Sequence, residues 1–421
     1  MTMLRLIKSL IPPSILGYIQ PSYHFILALS GAIIYRFPSK KIIVVGVTGT
    51  KGKTSTTEIL NNIFETAGYT TAVLGTLRFK VGERNERNLR KMTMPGRFFV
   101  QKFLRDAIDA GCTHAVIEMT SEGAKQFRQR FIDMDALIFT NLSPEHIESH
   151  GSYEKYRDAK LSIARTLAHS DKSHRYMIAN ADDKESWRFL SLKGVTPVPY
   201  ALDDAGNLEA DESHITLTFR GTLITSSLPG LFNASNILGA ATCAETLGVP
   251  LPAIAQGIAG TDHIEGRMER IEEGQSFPVV VDYAHTPDSL EAIYRTFSGH
   301  ENICVLGNTG GGRDKWKRPV MGEIADRYCT HIILTNEDPY DEDPEAIVKE
   351  IQKGIVKKSC EIILNRRAAI HRALLLAETK EHPAVLVTGK GTDPYIMGPN
   401  GTKTPWDDRV VAREELKKIR A

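Results

Sequence analysis

The sequence predicts an α/β protein: a central, doubly wound, mostly parallel sheet that carries a phosphate-binding loop, plus a C-terminal Rossmann-like α/β domain. Three observations predict it. The segment Lys41–Thr57, KKIIVVGVTGTKGKTST, passes from a β-branched apolar run into a glycine-rich turn and on into a helix. Apolar runs of strand length recur at Ile42–Val47, Thr70–Leu74, Ala115–Ile117, Ala136–Phe139 and Tyr176–Ala179, separated by stretches of helical spacing. A second series, Val279–Asp282, Ile303–Leu306, Ile332–Thr335 and Val385–Thr388, begins after the polar, glycine-bearing segment Gly260–Gly274. A chain of 421 residues exceeds one ordinary core. The expected division is a short apolar segment at 1–40, a nucleotide-binding domain at 41–262 and the Rossmann-like domain at 263–421.

Taken in order, the first element is Phe25–Tyr35, FILALSGAIIY, an uncharged apolar stretch preceded by Lys8, Pro12, Pro13 and Pro21. It is shorter than the about 20 residues a membrane-spanning helix needs, and no small-residue cleavage site follows it. A helix packed on the first domain is expected, with weak contact to a membrane surface as its other role. In the loop that follows, backbone N–H groups around Gly49, Thr50 and Gly52 can wrap phosphate oxygens. Lys53 would reach the β- and γ-phosphates, Thr54 would offer its hydroxyl to Mg²⁺, and Ser55 continues the turn into a helix whose positive end faces the anion. Val47 stands where the strict Walker pattern has its first glycine, so the variant is GxxGTxGKT. Asp203–Pro229 is polar with short alternating pieces and predicts a β-hairpin region decorating the central sheet. Helices are expected at Asn236–Leu247, Ser289–Phe297, Pro319–Tyr328 and Pro344–Lys353.

Net charge is +1 with pI ≈ 7.7 and no long basic tract, which argues against nucleic acid as the main partner and leaves small charged ligands. The five cysteines, Cys112, Cys243, Cys304, Cys329 and Cys360, are scattered without CxxC spacing. Buried thiols in a reducing, cytoplasmic compartment are expected, with neither disulfide nor zinc.

The blocks GVTGTKGKT, TNLSPEHIESHGSYEKYRDAK, LPGLFNASN, VVDYAHTPDSL, GNTGGGRDKWKRPVMG and TGKG occur in the order typical of Mur ligases, and the chain resembles that family across about residues 41–416. DYAHTPD and GGRDKWKRP point to its tripeptide-synthetase branch, with most of the uridine-nucleotide-binding front domain lacking. The resemblance implies ATP-dependent amide-bond formation: phosphorylation of a substrate carboxylate, then attack of an amino acid's amine on the acyl phosphate. Crowding of anions around the γ-phosphate calls for cations. It implies two Mg²⁺ ions, held by Thr54, Glu118, His146 and a carbamylated Lys160, with Lys53 completing the catalytic set. It further implies ATP contacts from Asn236 in FNASN, Arg267 in GRMER and His285 in DYAHTPD.

For the muramoyl-peptide acceptor, Thr76, Thr93, Ser121, Gln126 and Arg128 match residues that grip it, and the planar fork of Arg128 suits a carboxylate. The amino-acid pocket departs from the family. Branches that add diaminopimelate show DNPR, whereas this chain reads Glu337, Asp338, Pro339, Tyr340, without the arginine clamp. Two acids can pair with an ammonium, Asp393 in GKGTD adds a third, and Arg313 can take the α-carboxylate. The expected substrate is therefore a basic amino acid such as L-lysine, added by a cytoplasmic monomer in peptidoglycan synthesis. The alternatives are the same chemistry on a poly-amino-acid or lipid-linked muropeptide acceptor, or a catalytically silent nucleotide-binding module.

Overall fold

The computed structural model describes residues 13–420, which form two compact units. The first comprises the chain up to Leu142, Glu154–Asp204 and Ile237–Gly257; the second comprises Ser143–Tyr153, Ala205–Asn236 and the chain from Ile258 onward. Neither unit is contiguous along the chain. The motif stretch around His146 and the hairpin region both cluster with the C-terminal strands.

The first unit is built on an eight-stranded sheet. Its strands are β1 (Ile43–Thr48), β2 (Thr71–Leu74), β3 (Arg78–Val81), β4 (Arg84–Arg87), β5 (His114–Glu118), β6 (Ala136–Phe139), β7 (Tyr176–Asn180) and β8 (Thr196–Tyr200). Their order is β4-β3-β2-β5-β1-β6-β7-β8, parallel from β2 to β8 and antiparallel at the β3 and β4 edge. Strands β1, β5 and β6 are buried along their length, as continuous Val/Ile/Ala runs covered on both faces must be. The chain leaves β1 toward β2 on one side and later fills β6 on the other, so the sheet order reverses around β1. Registers Val47↔Glu118 and Thr48↔Phe139 bring the C-terminal ends of three neighbouring strands level, where loops collect ligand groups.

The apolar stretch Phe25–Tyr35 lies within and just after the helix Pro13–Ile34, which packs on Arg97–Asp109. Lys8 and Pro12 lie outside the described residues. No helix among the described residues is long and apolar enough to cross a membrane.

In the second unit, β9 (Gly206–Ala210), β10 (Ile215–Phe219) and β11 (Thr222–Ser226) form their own three-stranded antiparallel sheet. This corrects the expectation that the region decorates the central sheet. The physical reason is that Ile215, Leu217, Phe219 and Ile224 alternate onto one buried face, while the preceding turn is tied to later strands. Glu212 accepts from His300 Nε2 at 2.6 Å and from Arg270 Nη2 at 3.4 Å.

The six-stranded sheet that follows contains β12 (Glu269–Arg270), β13 (Val279–Asp282), β14 (Glu301–Leu306), β15 (His331–Leu334), β16 (Ser359–Ile362) and β17 (Pro383–Thr388), in the order β12-β13-β17-β14-β15-β16. All pairs are parallel except β12 with β13. Period-two alternation builds two cores from the same strands: Val280, Cys304, Ile332 and Leu386 face one layer, Val281, Val305, Ile333 and Val387 the other. A short hairpin, β18 (Tyr395–Met397) with β19 (Lys403–Pro405), precedes the last helix, Asp408–Arg420.

Cys304 and Cys329 form a disulfide, against the expectation of thiols only. Cys304 sits inside β14 and Cys329 just before its parallel neighbour β15, so the sheet brings their Cα atoms within 6.1 Å, a separation no CxxC spacing announces. Cys112, Cys243 and Cys360 are free thiols.

One buried ion pair anchors the C-terminal helix to the sheet. The Arg366 guanidinium donates to both Asp408 oxygens, at 2.8 and 2.6 Å, and to the Thr388 carbonyl at 2.7 Å. Removing one partner leaves a charge stranded away from water. Asp408→Ala is expected to lower the unfolding free energy by about 3–5 kcal/mol, measured by urea denaturation.

Candidate active site

The phosphate loop is held open by contacts to the end of β6 and to the helix Tyr153–Ala168. Thr50 N donates to the Asn141 carbonyl and Lys51 N to Asn141 Oδ1, each at 2.9 Å, while Thr140 Oγ1 donates to the Lys51 carbonyl at 2.6 Å. The Thr50 hydroxyl bonds Tyr156 Oη at 2.9 Å. Gly49, at φ +150°, cannot be replaced without collision, since a Cβ there would lie 1.9 Å from Thr140 Oγ1. Gly52, at φ +78°, caps the helix Lys53–Thr66, which begins with Thr54 and Ser55 in its first turn, both buried. Thr140, Asn141 and Tyr156 were not singled out from sequence. They lie in TNLSPEH and YEKYRDAK, the blocks in which the family resemblance implies roles for His146 and Lys160 alone.

Two lysines converge on one carbonyl of this loop. Lys53 Nζ donates to Gly49 O at 3.0 Å and to Thr50 O at 2.9 Å. Lys160, buried on its helix with its ammonium 4.8 Å from the Tyr156 ring centre, donates to the same Gly49 O at 2.6 Å. Cations gathered at a glycine loop are what phosphoryl transfer between anions requires.

Glu118, at the end of β5 and 1% exposed, is the junction of the first unit's polar groups. Its Oε2 accepts from Thr54 Oγ1 at 3.1 Å and from Thr76 Oγ1 at 2.9 Å, and its Oε1 accepts from Thr76 N at 2.7 Å. Thr76 in turn bonds the Thr93 hydroxyl at 2.9 Å. A Cβ on Gly75 would stand 2.6 Å from Glu118 Oε1, so glycine is what lets the carboxylate lie there. Thr54 and Glu118 thus offer two hard oxygens side by side at the phosphate loop. They fit Mg²⁺, which takes one or two protein oxygens and completes its shell with phosphates and water. Among the described residues no cluster of three or more His, Cys, Asp or Glu side chains could hold a metal by itself.

Beyond Glu118, Ser121 opens the short helix Ser121–Lys125 with Thr120 as its cap. Arg128 donates from Nη2 to Gln126 Oε1 at 2.9 Å and from Nη1 to the Met94 carbonyl. Arg97 approaches from its helix, donating from Nε to Gln126 O at 2.7 Å. Burial lowers the pKa of both arginines, and at Arg97 the charge of Arg128 lowers it further. Two partly desolvated guanidiniums this close suit an anionic ligand.

The remaining expected residues lie in the second unit. His146 begins the helix Ile147–His150 in a left-handed conformation, φ 56°. The next turn bonds the GGRDK loop: Glu148 N donates to Asp314 Oδ1 at 3.1 Å and Lys315 N to Glu148 Oε1 at 3.3 Å. The His285 ring bonds Tyr283 O through Nδ1 and Glu145 Oε1 through Nε2, both at 2.8 Å, and Arg267 lies over the Tyr283 ring at 4.8 Å. Asn236 donates to Asn233 Oδ1 at 2.9 Å within FNASN.

The acid cluster differs from expectation. Asp338 Oδ1 and Asp393 Oδ2 are both bonded to the buried ammonium of Lys390, at 2.9 and 2.7 Å, so two of the three acids meant for a substrate ammonium already share an internal one, which offsets one of their two charges. Lys390, the lysine of TGKG, carried no assigned role in the sequence. Glu337 stays distinct: its Oε1 accepts from Thr309 Oγ1 at 2.6 Å, while Oε2 is buried without a hydrogen-bond partner. Arg313 lies 5.7 Å from the centre of the Tyr340 ring, the residue standing in place of an arginine clamp.

Gly75→Ala should push Glu118 away from Thr54 without touching the loop. Half-saturating Mg²⁺ for ATP turnover is expected to rise by about tenfold or more, with circular dichroism unchanged. An unaltered Mg²⁺ dependence would dismiss Glu118 as a metal ligand.

Residues 47–244 match the Mur ligase middle domain, and residues 266–391 match the Mur ligase glutamate ligase domain. The chain is 36% identical over 427 residues to the UDP-N-acetylmuramyl-tripeptide synthetase of Roseiflexus sp. strain RS-1, covering 95% of this chain and 83% of that protein. It is 33% identical over 407 residues to the UDP-N-acetylmuramoyl-L-alanyl-D-glutamate–2,6-diaminopimelate ligase of Bacillus cereus, covering 93% and 81%. A solved structure of a ligase with the latter name superposes with TM-score 0.61 at 27% identity, over 90% of this chain and 79% of that one. The folylpolyglutamate synthase of Mycobacterium tuberculosis, at TM-score 0.70 and 16% identity over 86% and 91% of the two chains, shares the fold. The phosphate loop, the Glu118 junction and these matches have one explanation: the chain belongs to the Mur ligase family of ATP-dependent carbon–nitrogen ligases.

Proposed function

We propose that this ligase adds an amino acid to the carboxylate of a muramoyl-peptide precursor of peptidoglycan. The observation that carries the reading is the Glu118 junction, where one carboxylate joins Thr54 of the phosphate loop to Thr76 and Thr93 of the expected acceptor segment. Donor and acceptor halves of a phosphoryl transfer must be held in line, and a shared buried anchor does so. An acceptor carboxylate oxygen attacks the γ-phosphorus and ADP leaves. The amine nitrogen then attacks the acyl carbon, phosphate departs with the C–O bond, and the nitrogen gives up a proton as the amide forms. Mg²⁺, when bound between Thr54 and Glu118, would offset charge on the transferring phosphoryl group. Lys53 would contribute charge from the loop, and Arg128 would orient the acceptor's anionic groups.

For the incoming amino acid we favour a basic monocarboxylic one such as L-lysine. Tyr340 replaces the arginine clamp, Glu337 keeps one buried carboxylate oxygen for an ammonium, and Arg313 would take the α-carboxylate. Relatives named as diaminopimelate ligases supply the competing outcome. Phosphate release with ATP, Mg²⁺, UDP-muramoyl-dipeptide and a panel of amino acids decides it. Lysine or ornithine is expected to lead, and Glu337→Gln is expected to raise KM for it by about tenfold or more; a preference for diaminopimelate overturns the lysine assignment.

His146 and Lys160 would serve a second Mg²⁺, with Lys160 carbamylated. A carbamate keeps one N–H on Nζ, so the bond to Gly49 O survives while a carboxylate-like group is gained. Carbon-13 NMR after labelling with bicarbonate should show a signal that Lys160→Ala lacks; the same spectrum from both proteins removes the carbamate. Asn236, Arg267 and His285 would contact ATP, and Ser121 and Gln126 the acceptor. The protein would act as a cytoplasmic monomer, where burial of Cys304 and Cys329 would shield the disulfide from thiol exchange.

A further inference from the structure

Over Ile26–Ile34 the helix Pro13–Ile34 turns alanine and glycine inward and its isoleucines outward. Against Arg97–Asp109 it presents Ala28, Gly31 and Ala32, and a Cβ on Gly31 would come 3.5 Å from the Phe98 Cα, so the two backbones lie close. On the opposite side Ile26 is 60% exposed, Ile33 55% and Ile34 61%, with Tyr23 also exposed. At helical spacing these four side chains fall within about 100° of arc. A helix that is apolar on both sides requires an apolar neighbour on each.

Charge identifies the second neighbour. No Asp or Glu precedes Glu58 in the sequence, whereas Arg5, Lys8, Arg36, Lys40 and Lys41 do. Arg36 and Lys41 are exposed just beyond the helix C-terminus, and Lys40 pairs with Asp171. Apolar side chains bordered by cations and free of helix acids match an anionic lipid surface. A second copy seated isologously on the same face would offer these cations no acid from its own helix. Among the described residues no helix is long and apolar enough to cross a membrane, so this one would lie along the surface.

We propose that the outward face of Pro13–Ile34 docks on an anionic lipid bilayer. The consequence for the first unit is positional. His24, buried on the inner flank, contacts Arg97, and Arg97 holds the Gln126 carbonyl. A docked helix therefore fixes the Gln126–Arg128 segment relative to the lipid surface. Vesicle binding is independent of any assignment of acceptor or amino acid, because it is measured without ATP or substrates.

The test is co-flotation of the full chain with phosphatidylcholine vesicles, with and without phosphatidylglycerol. The wild type should float with the anionic vesicles. Ile26→Gln/Ile33→Gln/Ile34→Gln should lower its partition coefficient on the order of a hundredfold, and Arg36→Gln/Lys41→Gln on the order of tenfold. Because all five positions are exposed, circular dichroism and melting temperature should match the wild type. Failure of the folded wild type to float, or flotation unchanged by the isoleucine substitutions, overturns the proposal. So does a concentration-dependent dimer in sedimentation equilibrium that those substitutions abolish, which would assign the face to a second copy.

Discussion

A carboxylate with almost no access to water organises the first unit. Glu118 cannot stay charged at the end of β5 unless donors replace its hydration, and Thr54, the Thr76 backbone and the Thr76 hydroxyl do so. The donors come from two separate segments, Thr54 and Thr76, so satisfying one carboxylate sets the relative positions of the phosphate loop and the segment after β2. The demand extends outward: Gly75 has no side chain because Glu118 occupies that volume, and Thr93 is placed by Thr76. A divalent cation beside Glu118 would draw on the same oxygens, linking local stability to metal binding.

The second unit solves a similar problem with opposite sign. Lys390 is a buried ammonium, and Asp338, Asp393 and the Tyr395 carbonyl surround it. Arg366 and Asp408 repeat the arrangement deeper in the sheet. The one cation of the EDPY and GKGTD stretches is therefore held by two of their three acids. Glu337 lies outside that exchange, with one buried oxygen that has no hydrogen-bond partner. Buried unsatisfied carboxylate oxygens are rare because they are costly, and they recur where a ligand completes the bonding.

Much of the architecture was legible in the sequence. Strands β1, β5, β6, β13, β14, β15 and β17 are continuous apolar runs because both faces of a parallel sheet are covered, and such runs stand out. Edge strands did not stand out: β4 reads RNER and is exposed throughout, and β16 is half-exposed, so neither carries a hydrophobic period. The hairpin region was recognised as strands but joined to the wrong sheet, since alternation reveals which residues point inward and not which core they enter. Among the proposed site residues, Lys53 and Thr54 follow from the loop pattern alone. Glu118 and Lys160 needed the family resemblance, because a single acid at a strand end or a lysine on a helix has no local signature.

The sequence by itself determined the donor chemistry, the α/β class and the family, because glycine turns, buried strands and ordered motif blocks are local properties of the chain. Only the tertiary structure decided the pairings. Lys390 neutralises Asp338 across a separation of 52 residues, Cys304 meets Cys329 across 25, and Thr140 and Asn141 brace a loop that precedes them by about 90 residues. Which charges cancel and which remain for a ligand depends on distances of a few ångströms between remote segments, and no spacing along the chain encodes those distances.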